Sequence, residues 1–121
     1  MKKKPIARKR ARAPADEAVQ PKLRIGFLLT PSFTLTAFAG FVDALRLAAD
    51  EGDRSRPRLC RWQVLGAASA PIVSSCGVAV LPTAPLEAPE NYDCLVVGGG
   101  LLHGGQQVPA RLIAFLREAA A

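Results

Sequence analysis

No apolar run in this sequence exceeds five residues, far short of the roughly 20 that a helix needs to cross a bilayer. The N-terminus is basic, but no apolar stretch follows it, so it does not read as a secretory signal. A cytoplasmic protein that makes no use of membranes is expected. Histidine occurs once, at His103, and cysteine three times, at Cys60, Cys76 and Cys94. An odd number of cysteines without CxxC spacing suits neither a disulfide frame nor a zinc site, so reduced thiols are expected. A Gly-Lys-Ser/Thr phosphate loop is missing. The one glycine cluster runs Gly98-x-Gly100-x-x-His103, with histidine where a dinucleotide-binding fingerprint has its third glycine. No nucleotide, other cofactor or metal is expected.

What is present fits one domain of 121 residues, half of them apolar, with a mean hydropathy of +0.17. The net charge of +6 is unevenly placed. Lys2, Lys3, Lys4, Arg8, Lys9, Arg10 and Arg12 precede any acidic residue, leaving nine basic residues against all ten acidic ones in the rest. Residues 1–21, with Pro5, Pro14 and Pro21, read as a disordered basic tail. Such an arm can bind phosphates, but it carries no aromatic residue to stack on bases, and a solvated leader with no specific partner is the expected reading. Residues 22–121 form the domain.

Leu23–Leu29 is apolar on both faces and reads as a buried parallel strand. Thr30-Pro31-Ser32 stops it. Leu35, Phe38, Val42, Leu45 and Ala49 then recur at three and four, one face of a helix. Thr34 or Thr36 is placed to cap it, and Gly52 to end it. Asp53–Arg58 is a charged loop. Cys60, Trp62 and Val64 alternate with Arg61 and Gln63 as in a half-buried strand. Ile72–Val73 and Val78–Leu81 suggest a small hairpin at the sheet edge, turning through Ser74–Gly77. Pro82, Pro85 and Pro89 mark a surface loop. Cys94–Val97 reads as a second strand buried on both faces, adjacent and parallel to the first at the sheet centre. Pro109 suits the first turn of a last helix, with Leu112, Phe115, Leu116 and Ala119 on one face. Strands alternating with amphipathic helices predict an α/β fold: a flavodoxin-like open, mainly parallel sheet with helices on both faces.

In such sheets ligands bind beyond the carboxyl ends of the strands. That singles out Thr30 and the glycines Gly98, Gly99 and Gly100. Consecutive glycines can adopt positive φ and bring backbone amides to a carboxylate, a phosphate or an oxyanion. They can equally end a strand and let a helix pack closely, and the residues alone leave both readings open. Catalytic residues are not expected. His103 lies in a glycine-rich loop without a partner, and no cysteine stands on a strand-to-helix elbow. Asp43, Asp50 and Glu51 lie on the solvated side of the first helix, and Ser74 and Ser75 suit a turn.

Phe33-x-Leu35-x-Ala37-x-Ala39, Asp43-Ala44-Leu45-Arg46-Leu47-Ala48, Trp62-x-Val64, Pro71-x-Val73-Ser74-Ser75-x-Gly77 and Tyr92-Asp93-x-Leu95-Val96-Val97-x-Gly99-Gly100 occur in this order. The series resembles the N-terminal sensor domain of AraC-type transcriptional regulators, which is similar to the ThiJ/PfpI, or class I glutamine amidotransferase-like, superfamily. The resemblance runs from about Leu23 to Ala121. It implies a flavodoxin-like sandwich, often a homodimer, with a pocket for a small-molecule effector at the strand ends. It also implies DNA binding through a C-terminal helix-turn-helix domain that this sequence does not contain. In the enzymes of the superfamily a carboxylate would fall near Ala37, glycines such as Gly99 and Gly100 supply oxyanion amides, and the nucleophile elbow would lie beyond Ala121. The expectation is therefore a truncated regulator, the N-terminal half of a sensor domain, and not an enzyme. The alternatives are a fragment of a PfpI-like cysteine hydrolase or hydratase, and a nucleic-acid-binding arm on a small α/β module.

Overall fold

The computed structural model describes residues 21–50, 58–100 and 108–121. The expected disorder of residues 1–21 falls almost wholly outside these. So do the expected helix stop at Gly52 and the placement of His103.

Strand β1 (Leu23–Leu29) is followed by helix α1 (Leu35–Ala49) and strand β2 (Cys60–Gly66). Short strands β3 (Ile72–Val73), β4 (Ala79–Val80) and β5 (Ala84–Pro85) come next, then a 3-10 turn at Pro89–Asn91. Strand β6 (Cys94–Gly98) and helix α2 (Ala110–Ala120) complete the order. Four strands form one sheet in the order β5-β2-β1-β6, and every pairing in it is parallel.

The alternation of β1 explains the layering. Ile25, Phe27 and Leu29 point to one face, where they meet Phe33, Cys60 and Val64 and the inner face of α1 through Leu35, Phe38, Val42 and Leu45. Phe38 and Phe41 stand edge-on to Phe27 at ring-centroid distances of 5.3 and 5.5 Å, a preferred aromatic geometry. Leu28 points to the other face and packs with Leu65, Leu86, Leu112 and Phe115, so α2 covers that side. Helices therefore lie on both faces. Gly26 shares the α2 side, where a Cβ would stand 2.8 Å from Leu95 and 2.9 Å from Leu65.

Several expectations are corrected. Strand β6 is adjacent and parallel to β1, with Ile25 opposite Cys94 and Leu29 opposite Gly98. It is not central, however: among the described residues nothing pairs with its other side, and Val97 is 50% exposed. The hairpin of β3 and β4 is antiparallel, but it forms a sheet of its own and not an edge of the main one. Part of the proline-marked loop is a strand, since Leu65 and Gly66 of β2 pair with Ala84 and Pro85 of β5. Proline is tolerated there because β5 is an edge. The Thr83 hydroxyl supports this edge, accepting from the Val64 amide at 2.8 Å and donating to Gln63 Oε1 at 2.6 Å. Leu65 is 1% exposed, so β2 is buried on both faces at its carboxyl end. Pro109 is the residue just before α2 and not in its first turn, and Ala119 is exposed.

The amino ends of β1 and β6 are clamped together. Arg24 donates to both carboxylate oxygens of Asp93 at 3.1 Å, its backbone N–H donates to Asp93 Oδ2 at 2.8 Å, and the Asp93 N–H donates to the Arg24 carbonyl at 2.8 Å. Hydrogen bonding from Arg24 holds the Asp93 carboxyl below its usual range.

Candidate functional site

Three segments meet beyond the carboxyl ends of β1 and β6. Thr30 binds Gly98 twice, its N–H and its hydroxyl donating to the Gly98 carbonyl at 3.0 and 3.1 Å. The Thr34 N–H donates to the Gly99 carbonyl at 2.9 Å, and Phe33 bridges Gly100 in an antiparallel pair. The hairpin is stitched to the same loop, since the Ser32 N–H donates to the Val73 carbonyl and the Ser75 N–H to the Phe33 carbonyl, both at 2.9 Å. Phe33, fully buried, is the pin through this junction. The structure thus brings Thr30, Gly98, Gly99 and Gly100 together.

The glycines act through space and not through unusual dihedrals. Among the described residues only Gly77 is a glycine at positive φ, in the turn between β3 and β4. A Cβ on Gly100 would collide with the Ser32 carbonyl oxygen and stand 2.9 Å from Phe33 backbone atoms. A Cβ on Gly99 would meet nothing within 4 Å, so the backbone there is open to approach. The positive-φ residue of the junction is Ser32, at φ 61, a conformation that costs a non-glycine residue about 1–2 kcal/mol.

A cavity of about 410 Å³ opens beside the junction, at the carboxyl ends of β1 and β2. Leu29, Leu65, Ile72, Leu86 and Leu112 give it apolar walls, and Ser32 supplies the single side-chain hydroxyl. Thr30 and the three glycines do not line it. Nothing in the sequence singled this cavity out, because its wall between β2 and β3 consists of small residues such as Ala67 and Ala70 that read as an ordinary loop.

The titratable groups do not assemble into a catalytic set among the described residues. Cys60 begins β2 and is buried, which pushes its thiol pKa up. Cys94 begins β6. Cys76 is exposed in the hairpin turn, 3.2 Å from the Ser74 hydroxyl, and this hydrogen bond lowers its pKa. Ser74 is 4% exposed, and its hydroxyl also accepts from the Val78 N–H at 3.1 Å, so it holds the turn. Ala37 is exposed on α1, and Asp43 pairs with Arg46 at 3.8 Å. No group of three His, Cys, Asp or Glu among the described residues could hold a metal ion. No helix among them is long and apolar enough to cross a membrane.

The parallel sheet with helices on both faces is similar in fold to ThiJ/PfpI and DJ-1 proteins. A ThiJ/PfpI family protein from Pseudomonas syringae superimposes with a TM-score of 0.58 at 18% identity, covering 90% of this chain and 44% of its own. A DJ-1 superfamily protein from Agrobacterium tumefaciens gives 0.54 at 20%, over 81% of this chain and 50% of its own. An AraC family transcriptional regulator from Pseudomonas putida gives 0.62 at 24%, over 81% and 58%. In sequence, the HTH-type transcriptional regulator GbdR, from two strains of Pseudomonas aeruginosa, is 35% identical over 77 residues, 64% of this chain and 20% of its own length. The HTH-type transcriptional regulator CdhR of the same species is 35% identical over 92 residues, 76% of this chain and 26% of its own. The chain is thus similar in sequence to HTH-type transcriptional regulators and in fold to an AraC family regulator. It spans about a fifth to a quarter of the length of these curated relatives. No family model matches it.

Proposed function

We propose that this chain is the ligand-sensing part of a transcriptional regulator, not an enzyme, with DNA bound through a separate helix-turn-helix domain. The reading is carried by one observation, the 35% identity to two HTH-type regulators over 77 and 92 residues of this chain. A small-molecule effector would sit where Thr30, Gly98, Gly99 and Gly100 meet. Two features support that placement. The junction lies between β1 and β6, the strands whose connections leave for opposite faces, the usual binding crevice of such sheets. The backbone at Gly99 is also open to approach. The same reading has the protein work in the cytoplasm, as the homodimer that the resemblance implies.

The test compares transcripts in cells with and without the gene, grown on different small nutrients. A regulator gives a discrete set of transcripts that respond to one nutrient only when the gene is present. Unchanged transcripts, together with loss of amide-hydrolysing or isocyanide-hydrating activity from extracts, would replace this reading with the hydrolase one.

A further inference from the structure

We propose that the 410 Å³ cavity between the ends of β1 and β2 and the start of α2 is a second binding site, for a monocarboxylate with an apolar body, such as a medium-chain fatty acid. It adjoins the Thr30–glycine junction at Ser32 but is lined by none of Thr30, Gly98, Gly99 and Gly100, and the inference does not depend on the regulator reading.

The cavity has the size of a small-molecule site. Its walls are leucine and isoleucine side chains from three layers of the fold: Leu29 and Leu65 from the sheet, Ile72 from the hairpin and Leu112 from α2. No charged side chain is among its lining residues, so the part of a ligand held inside must be uncharged, because an unpaired buried charge is strongly disfavoured. The preference for an acid comes from Arg111, in the first turn of α2 next to Leu112. Its Nη1 donates to the Ala67 carbonyl at 3.0 Å, and Ala67 is part of the cavity wall. The bond holds the guanidinium against a residue of the cavity wall while using one of its five N–H donors. Among the described residues Arg111 forms no ion pair with a carboxylate. An exposed guanidinium with no carboxylate partner among the described residues, bonded to the wall of an apolar cavity, matches an anion that keeps its head in water and buries its chain.

The test is an NMR titration of the 121-residue chain with hexanoate, 1-hexanol and acetate. Hexanoate is expected to bind at least about tenfold more tightly than either, since hexanol lacks the charge-assisted hydrogen bond and acetate lacks the chain. Arg111→Gln should reduce hexanoate affinity about tenfold, to the level of hexanol, and leave hexanol unchanged. Ala70→Phe, a substitution at the exposed rim, should weaken both hexanoate and hexanol, with thermal melting confirming that each variant is folded. Gly99→Leu should leave hexanoate binding intact, which separates this site from the proposed effector junction. Equal binding of hexanoate and acetate would overturn the proposal. So would hexanoate binding that survives both Arg111→Gln and Ala70→Phe, or no binding up to the solubility limit.

Discussion

Gly99 and Gly100 are neighbours, yet replacing each with alanine should have opposite results. At Gly100 the new Cβ meets the Ser32 carbonyl oxygen and the Phe33 backbone, atoms that cannot swing aside as a side-chain tip can. Overpacking against fixed atoms costs about 1–3 kcal/mol. Moving the loop away instead loosens the Phe33–Gly100 bridge and the Thr34–Gly99 hydrogen bond, each worth about 1 kcal/mol. Gly100→Ala is therefore expected to cost about 1–3 kcal/mol, a fall in Tm of about 4–24 °C for a domain of this size. At Gly99 the Cβ enters open space and the backbone is not at positive φ. Alanine there reduces the freedom of the unfolded chain and should be neutral or stabilising by up to about 1 kcal/mol. Thermal melts followed by circular dichroism at 222 nm decide the matter. Equal losses at the two positions would refute the claim that close backbone approach, and not glycine flexibility, is what the cluster provides.

Phe33→Ala should destabilise the fold by about 3–5 kcal/mol in urea unfolding, because a fully buried ring is lost from the junction; a cost under about 1 kcal/mol would show that the loop collapses into the space. The folded pKa of Asp93 is depressed, so its pairing with Arg24 contributes stability above the ordinary carboxylate pKa of about 3.9 and loses it as pH falls through the lower folded value. Asp93→Asn should accordingly melt below the parent at pH 7, with the gap closing in acid; a gap independent of pH would refute this. Iodoacetamide should label Cys76 well before Cys60, since one thiol is exposed with a lowered pKa and the other is buried with a raised one. Ser74→Ala should slow the Cys76 reaction, and peptide mass spectrometry reads both rates.

The layered sheet was legible because hydrophobic period reports burial directly. Leu23–Leu29 carries apolar residues on both faces, and its last five are buried. The run Cys94–Val97 looks the same in sequence but lies at an edge, because composition records what a strand can bury and not whether a neighbour is present. Ala84–Pro85 was hidden by its proline, which excludes an interior strand but not an edge supported by Thr83. At the junction the residue types were readable and their physics was not. Glycine suggested positive φ, whereas the constraint at Gly100 comes from the Ser32 and Phe33 backbone, which only the folded chain brings near. The cavity had no signal at all, since its walls come from segments far apart in the chain, Leu29, Leu65, Ile72 and Leu112 among them.

The position of β1 between β2 and β6 also sets the order in which the chain can fold during synthesis. β1 leaves the ribosome first, yet its partners follow much later, β2 beginning at Cys60 and β6 at Cys94, and the Arg24 clamp closes on a residue 69 positions downstream. At about 5–20 residues per second the sheet waits roughly 3–14 s between the appearance of β1 and its completion. Through that interval α1 and then β2 can cover Phe27 and Leu29, but Leu28 faces the side that α2 closes last, so a pause in translation before α2 would leave one face of an apolar strand exposed to chaperones or to other nascent chains.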